Sequence, residues 1–155
     1  MKKFNIVLFE PEIPQNTGNI ARLCACTGAN LFLVGKLGFS LSEKYTKRAG
    51  LDYWDSVNVQ KIDSLEQLQK DNKDGTLEKP NFYYLTTKSE KSFYDVEFKE
   101  GDFLVFGPET RGLPEDLLKN NKETSITIPM INGQRSLNLS NSVSIVLYEA
   151  IRQNK

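Results

Sequence analysis

Histidine is absent from this chain of 155 residues. Any proton transfer must therefore use a carboxylate, lysine, tyrosine, cysteine or a group of the substrate, and a Ser-His-Asp triad is excluded. Cysteine is nearly absent: Cys24 and Cys26 are the only two. They stand two apart on an expected helix, point to different faces and cannot bridge each other. With no further Cys and no His there is no zinc set, so no metal site is expected and both cysteines read as small buried hydrophobes. Net charge is absent as well, with 20 basic residues against 20 acidic ones, which argues against a protein whose whole surface grips nucleic acid. No apolar run approaches the roughly 18 residues of a membrane span. The chain enters a strand-like run at once, without a signal peptide's apolar stretch, so a cytoplasmic protein with no membrane partner is expected. Arginine is scarce beside lysine, five against 15: Arg22, Arg48, Arg111, Arg135 and Arg152. The first four fall in Gly-rich or polar segments, where a planar bidentate donor is of use.

Against these absences stands a regular alternation of short apolar runs and helical patterns. Residues 4–9 (FNIVLF) are almost continuously apolar, the mark of a strand covered on both faces. Asn16 or Thr17 is expected to cap a helix that ends near Thr27, with Gly28 as its stop. Strands are expected at 31–34, 57–62, 82–85, 103–106 and 125–128. Helices are expected at 42–49, 64–72, from Pro114 to about Lys119, and at 141–153. Residues 71–80 read as a polar turn and 88–100 as a mostly polar connection. This order predicts an α/β fold with a mainly parallel sheet flanked by helices, one domain over residues 1–155 with no separate RNA-binding domain. Ligands in such sheets sit beyond the carboxyl ends of the strands. Three loops there are polar or Gly-rich: 86–88, 107–114 and 130–141.

Residues 107–114 (GPETRGLP) have the G-x-x-x-x-G spacing of a phosphate loop, but Leu-Pro follows where Lys-Ser/Thr would handle phosphate and magnesium. No G-x-G-x-x-G occurs either, which weakens a nicotinamide reading. A tight turn explains the glycines but not Glu109 and Arg111 between them. In the first helix, Gln15, Asn19, Arg22 and Cys26 share one face, opposite Ile20, Leu23 and Cys24. An Arg flanked by amides near a helix N-terminus suits an anion such as phosphate; a solvated polar face explains the same pattern equally well. Residues 135–141 (RSLNLSN) place four polar side chains between an apolar strand and an apolar helix. They read either as an elaborate helix cap or as a loop folded back inside the protein to meet a ligand. The final helix carries a core stripe of Val143, Val146, Leu147, Ala150 and Ile151. Ile145, Tyr148 and Arg152 lie opposite, which points to a second buried face and a homodimer.

Together, Asn16-x-Gly18-Asn19-x-x-Arg22, residues 106–113 (FGPETRGL), and Ile128-Pro129-Met130 followed by residues 136–143 (SLNLSNSV) resemble the three motifs of the SPOUT superfamily. These are knotted, S-adenosylmethionine-dependent RNA methyltransferases. The likeness runs from Ile6 to Gln153 and is closest to the minimal members, tRNA 2′-O-methyltransferases acting at the wobble nucleotide. It implies a deep C-terminal trefoil knot and a dimer with its active site at the subunit interface. It further implies a cofactor pocket of Leu85, Gly107, Ile128 and Ser136 with Met130 and Leu137 close by. Arg22 would act on the ribose hydroxyl, with Asn16, Glu109, Ser136 and Asn138 at the other active-site positions. Lys44, Lys47, Arg48, Arg111, Arg135 and Tyr148 would contact the tRNA anticodon loop. The substrate implied is C or modified U at position 34, of leucine isoacceptors. The alternatives are another tRNA position, ribosomal RNA, or a knotted RNA-binding factor without catalysis.

Overall fold

The computed structural model describes residues 1–41, 54–72 and 80–155. Among them, six strands form one sheet: β1 (Asn5–Phe9), β2 (Asn30–Val34), β3 (Val59–Ile62), β4 (Phe82–Leu85), β5 (Phe103–Phe106) and β6 (Ser125–Ile126). Their order is β3-β2-β1-β5-β4-β6, and every neighbouring pair is parallel. The chain steps outward from β1 to β3, then crosses to build the other half. The direction of winding therefore switches between β1 and β5, which places a crevice at their carboxyl ends.

Period-two alternation sends each central strand's side chains to two cores. On one face Ile6, Leu8, Leu31, Leu33, Leu104 and Phe106 pack with Ile20, Ala21 and Cys24 of α1 (Pro14–Thr27) and Val143, Val146, Leu147 and Ala150 of α4 (Leu139–Gln153). On the other, Val7, Phe32, Val34, Phe103 and Val105 pack with Leu65 and Leu68 of α2 (Leu65–Asp71), and Leu117 and Leu118 of α3 (Glu115–Asn120) lie against them. The apolar runs are continuous because both faces are covered. Gly28 closes α1 in the left-handed conformation (φ 75°), as expected; Ser64, expected as the first residue of a helix at 64–72, instead caps α2 through its side chain.

Several expectations need correction. Helix α1 begins at Pro14, so neither Asn16 nor Thr17 is its cap; both are buried inside it. Helix α4 begins at Leu139 rather than at residue 141, and its cap is Asn138. The third strand starts at Val59, and β6 stops at Ile126, where Thr127 turns aside to exchange backbone hydrogen bonds with Lys91 and Phe93. That exchange makes 88–100 more than a polar connection: it holds a 3₁₀ turn (Phe93–Asp95) and buries Phe93, Val96 and Phe98 in the first core. Cys24 is buried, and burial pushes its thiol up to about 12, but Cys26 is exposed and is no core residue. The expected helix at 42–49 lies outside the described residues. Among those described, no helix is long and apolar enough to cross a membrane.

Candidate active site

The first turn of α1 has no side-chain cap of its own, because Ile13 occupies that position and Pro14 follows. A helix start leaves N–H groups unpaired, and here a carboxylate from the loop after β5 supplies the acceptor. Glu109 Oε1 accepts from Glu12 N at 2.9 Å, and Oε2 accepts from Ile13 N at 2.6 Å. A carboxylate at this end also meets the positive pole of the helix. The clasp is reciprocal: Glu12 Oε1 accepts from Thr110 N at 2.9 Å and from Thr110 Oγ1 at 2.7 Å. Those two bonds, with Arg111 nearby, hold the Glu12 carboxyl below the usual carboxylate range. The loop folds tightly because Gly107 has no side chain: a Cβ there would stand 2.4 Å from Leu113 N.

Glu109 also fixes the third loop. Its Oε2 accepts from Asn16 Nδ2 at 3.3 Å. An ionised carboxylate only accepts, so it sets the orientation of the Asn16 amide. Asn16 Oδ1 is thereby turned to accept from Asn138 Nδ2 at 3.2 Å. Asn138 Oδ1 is left to accept from Ser140 Oγ at 2.7 Å and from Asn141 N at 3.2 Å, which caps α4. One directional chain of hydrogen bonds thus joins the loops after β1, β5 and β6. Asn138 is both the helix cap and a member of this chain, so the two readings of the Ser/Asn run describe one residue. Asn141 is the donor in that cap.

Beside this chain opens a cavity of about 550 Å³ at the carboxyl ends of β4, β5 and β6. Six residues expected to hold a cofactor, Leu85, Gly107, Ile128, Met130, Ser136 and Leu137, all line it, and so do Glu109, Arg111 and Arg135. Among the described residues, no main-chain group from Ile128 to Leu137 hydrogen-bonds to another main-chain group. Residues 131–138 are exposed within one chain, so the loop is not folded back inside it, as one of the two readings had it; it lies over the cavity, where water or a ligand can reach its peptide groups. Arg22 lies elsewhere, on the exposed face of α1 with Gln15, Asn19 and Cys26. It is two turns from the helix N-terminus, where the carboxylate of Glu109 already meets the first turn. Tyr148 stands exposed at 47% on the outer face of α4, beside Ile145 at 38%. Lys44, Lys47 and Arg48 lie outside the described residues.

Sequence reasoning missed Glu12, whose carboxylate holds Thr110, and Glu10, whose Oε1 accepts from Arg111 Nη2 at 3.3 Å. Their signal was two acids around Pro11 directly after an apolar strand, at the strand end where ligands gather. Thr86, Thr87 and Lys88, in a loop that was expected to face the pocket, also line the cavity. Among the described residues no three His, Cys, Asp or Glu side chains are placed to hold a metal ion.

Comparison with known proteins gives this geometry a family. The SpoU rRNA Methylase family model matches residues 3–148. The tRNA (cytidine(34)-2'-O)-methyltransferase of Methylovorus glucosotrophus is 49% identical over 152 residues, covering 97% of this chain and 96% of that one. A solved structure described as giving insight into 2-OH methylation of C/U34 on tRNA is 42% identical. It superposes with a TM-score of 0.88 over 99% of this chain and 97% of its own. A SpoU methyltransferase from Streptomyces viridochromogenes, in complex with the cofactor AdoMet, shares the fold at 23% identity (TM-score 0.83), covering 99% of this chain and 59% of that one.

Proposed function

The chain belongs to the SpoU methylase family, within the SPOUT superfamily, and from that premise we propose that it methylates the ribose 2′-hydroxyl of nucleotide 34 in tRNA. The methyl donor is S-adenosylmethionine, and the substrates are leucine isoacceptors with C or modified U at that position. The observation that carries the reading is the Glu109–Asn16–Asn138 chain, which ties three strand-end loops around one cavity.

The residues present fit the cofactor. A volume of about 550 Å³ lies within the range of small-molecule sites. Its apolar walls, among them Leu85, Phe106, Ile128 and Leu139, suit a nucleoside, and the unpaired peptide groups of the loop after β6 suit its polar edges. When bound, S-adenosylmethionine supplies an electrophilic methyl group. The protein's own work is to position a weak nucleophile and to stabilise the charge that develops on it. Arginine is always protonated, so Arg22 serves as a donor that orients an RNA phosphate and steadies the forming alkoxide, not as a base. Ser136, on the cavity wall, meets the cofactor and the ribose. Glu109, Asn16 and Asn138 hold the loops in register. Arg111 and Arg135 at the cavity, with Tyr148, Lys44, Lys47 and Arg48, contact the anticodon loop.

Arg22 and Tyr148 are not among the residues that line the cavity within one chain, and Ile145 and Tyr148 stand exposed on the outer face of α4. Both facts favour a homodimer in which a partner's Arg22 face completes the site. The same reading includes a C-terminal trefoil knot and one cytoplasmic domain over residues 1–155. The test is incubation of the purified protein with S-adenosylmethionine and tRNA, followed by nucleoside mass spectrometry that maps the methyl group. A 2′-O-methyl group at nucleotide 34 of leucine tRNA is expected. A methyl group at another position or only on ribosomal RNA would redirect the substrate, and no transfer together with no binding of S-adenosylhomocysteine would overturn the enzyme reading.

A further inference from the structure

Glu10 is held in a way that folding alone does not explain. It is the one residue other than glycine with a positive φ, 47°, among the described residues. Side chains rarely adopt that region, and departures of this kind gather where a site needs them. The side chain is then seated closely: a Cβ on Gly35 would stand 2.8 Å from Glu10 Cγ and 3.1 Å from its Oε2. Glu10 N donates to Val34 O at 2.8 Å, which pins the backbone at the end of β2. The carboxylate so aimed takes Lys36 N at 3.4 Å on Oε2 and the Arg111 guanidinium at 3.3 Å on Oε1. The arginine side chain is 59% exposed and the glutamate 27%. An ion pair this open to water adds little to folding stability, so it does not account for the strained backbone that creates it.

We propose that Glu10 is a positioning residue for substrate RNA: it holds the Arg111 guanidinium at the mouth of the cavity so that the arginine meets the tRNA backbone in one orientation. The inference rests on the reading of Arg111 as an RNA contact. Arg111 belongs to the loop already clasped by Glu12 and Glu109, but those two fix its backbone, whereas Glu10 alone among the three touches the guanidinium. Loop and side chain are thus held separately. Losing Glu10 should loosen the arginine without disturbing the cofactor pocket.

Two variants and two readouts test this. Glu10→Gln keeps the shape and removes the charge; Glu10→Asn also relaxes the backbone, because Asn accepts positive φ more readily than Glu. The first readout is ¹⁵N relaxation of the Arg111 side chain, its signal assigned by its loss in Arg111→Lys. It should be ordered in the wild type and mobile in both variants, whatever the enzyme's activity. The second is steady-state methyl transfer: KM for tRNA should rise about three- to fivefold in both variants, with kcat and the affinity for S-adenosylhomocysteine unchanged. In an Arg111→Ala background the Glu10 substitutions should add nothing. A higher melting temperature for Glu10→Asn than for the wild type, together with the higher KM, would mark a strain kept for function. An Arg111 side chain just as ordered without Glu10 would overturn the proposal. So would an additive rise in KM in the Arg111→Ala background. If Arg111→Ala leaves KM unchanged while Glu10 still orders the guanidinium, it is the RNA-contact reading that fails, and the positioning of RNA by Glu10 fails with it.

Discussion

The two ends of the parallel sheet use the same kinds of side chain to opposite purpose. At the amino ends of the strands, polar groups close on one another. Asn58 Nδ2 donates to Asn30 Oδ1, Asn30 Nδ2 to Asn5 Oδ1, and Asn5 Nδ2 to Gly101 O, a ladder across β3, β2 and β1. The Asp102 carboxylate, 1% exposed as a residue, accepts from Asn81 N and Lys99 N and seals the approach to β4 and β5. At the carboxyl ends, amides and carboxylates hold three loops apart around an opening and leave peptide groups unpaired beside it. Polar residues at one end satisfy the fold, and at the other they hold it open.

That contrast can be broken from either side. The largest effect is expected from Arg22→Ala, which should lower turnover about 10²- to 10³-fold while the melting temperature and the affinity for S-adenosylhomocysteine stay put, as measured by kinetics, thermal melting and calorimetry. Gly107→Ala comes next: its Cβ would overlap the Leu113 amide, so both stability, by about 1–3 kcal/mol in denaturant titration, and binding of S-adenosylhomocysteine should fall. Asp102→Ala acts at the closed end only. It leaves the Asn81 and Lys99 amides without their acceptor, which should cost about 1–3 kcal/mol, with activity per folded molecule unchanged.

The smallest effect separates the ends by pH. Glu12 has its carboxyl lowered in the folded state by its bonds from Thr110. Its contribution is therefore complete above the ordinary glutamate value and is lost as pH falls through the lowered one. Asp102 is raised by burial, which outweighs its N–H bonds. Its ionised form is disfavoured on folding, so its contribution declines as pH rises from the ordinary aspartate value through the raised one. Glu12→Gln should flatten the acid side of the stability–pH curve measured by urea titration. A curve with the same acid slope would show that the clasp between the two loops carries no linked proton.

Most of the framework could be read from local pattern. Residues 103–106 are apolar at every position, and residues 4–9 at every position but Asn5, because helices cover both sheet faces, and that signal is local. Gly28 and Ser64 end and begin their helices by rules that act within a few residues. What escaped was non-local. The start of α1 is set by Glu109, 96 residues away from Ile13, so Asn16 looked like a cap when it is a buried link. Asn141 looked like the cap of α4, but the capping oxygen belongs to Asn138, oriented through Asn16 from Glu109. Cys26 was misjudged from its residue type, although helical spacing puts it on the same exposed face as Gln15, Asn19 and Arg22. One of the two readings of residues 135–141 folded them inside the protein to meet a ligand, but within one chain residues 131–138 are exposed and belong to the wall of an opening. The family motifs brought together the residues of the cavity, whereas the Glu10–Arg111 and Glu12–Thr110 pairs join residues 101 and 98 positions apart and leave no local signal of their pairing.

The central claim is that the cofactor binds at the carboxyl ends of the strands and nowhere else. Hydrogen–deuterium exchange with and without S-adenosylhomocysteine tests it directly. Protection is predicted in residues 85–88, 107–113 and 128–138, with none gained at 99–102 around Asp102 or at Asn30 and Asn58. Protection at the amino ends of the strands, or no change at 128–138 at saturating ligand, would contradict the account.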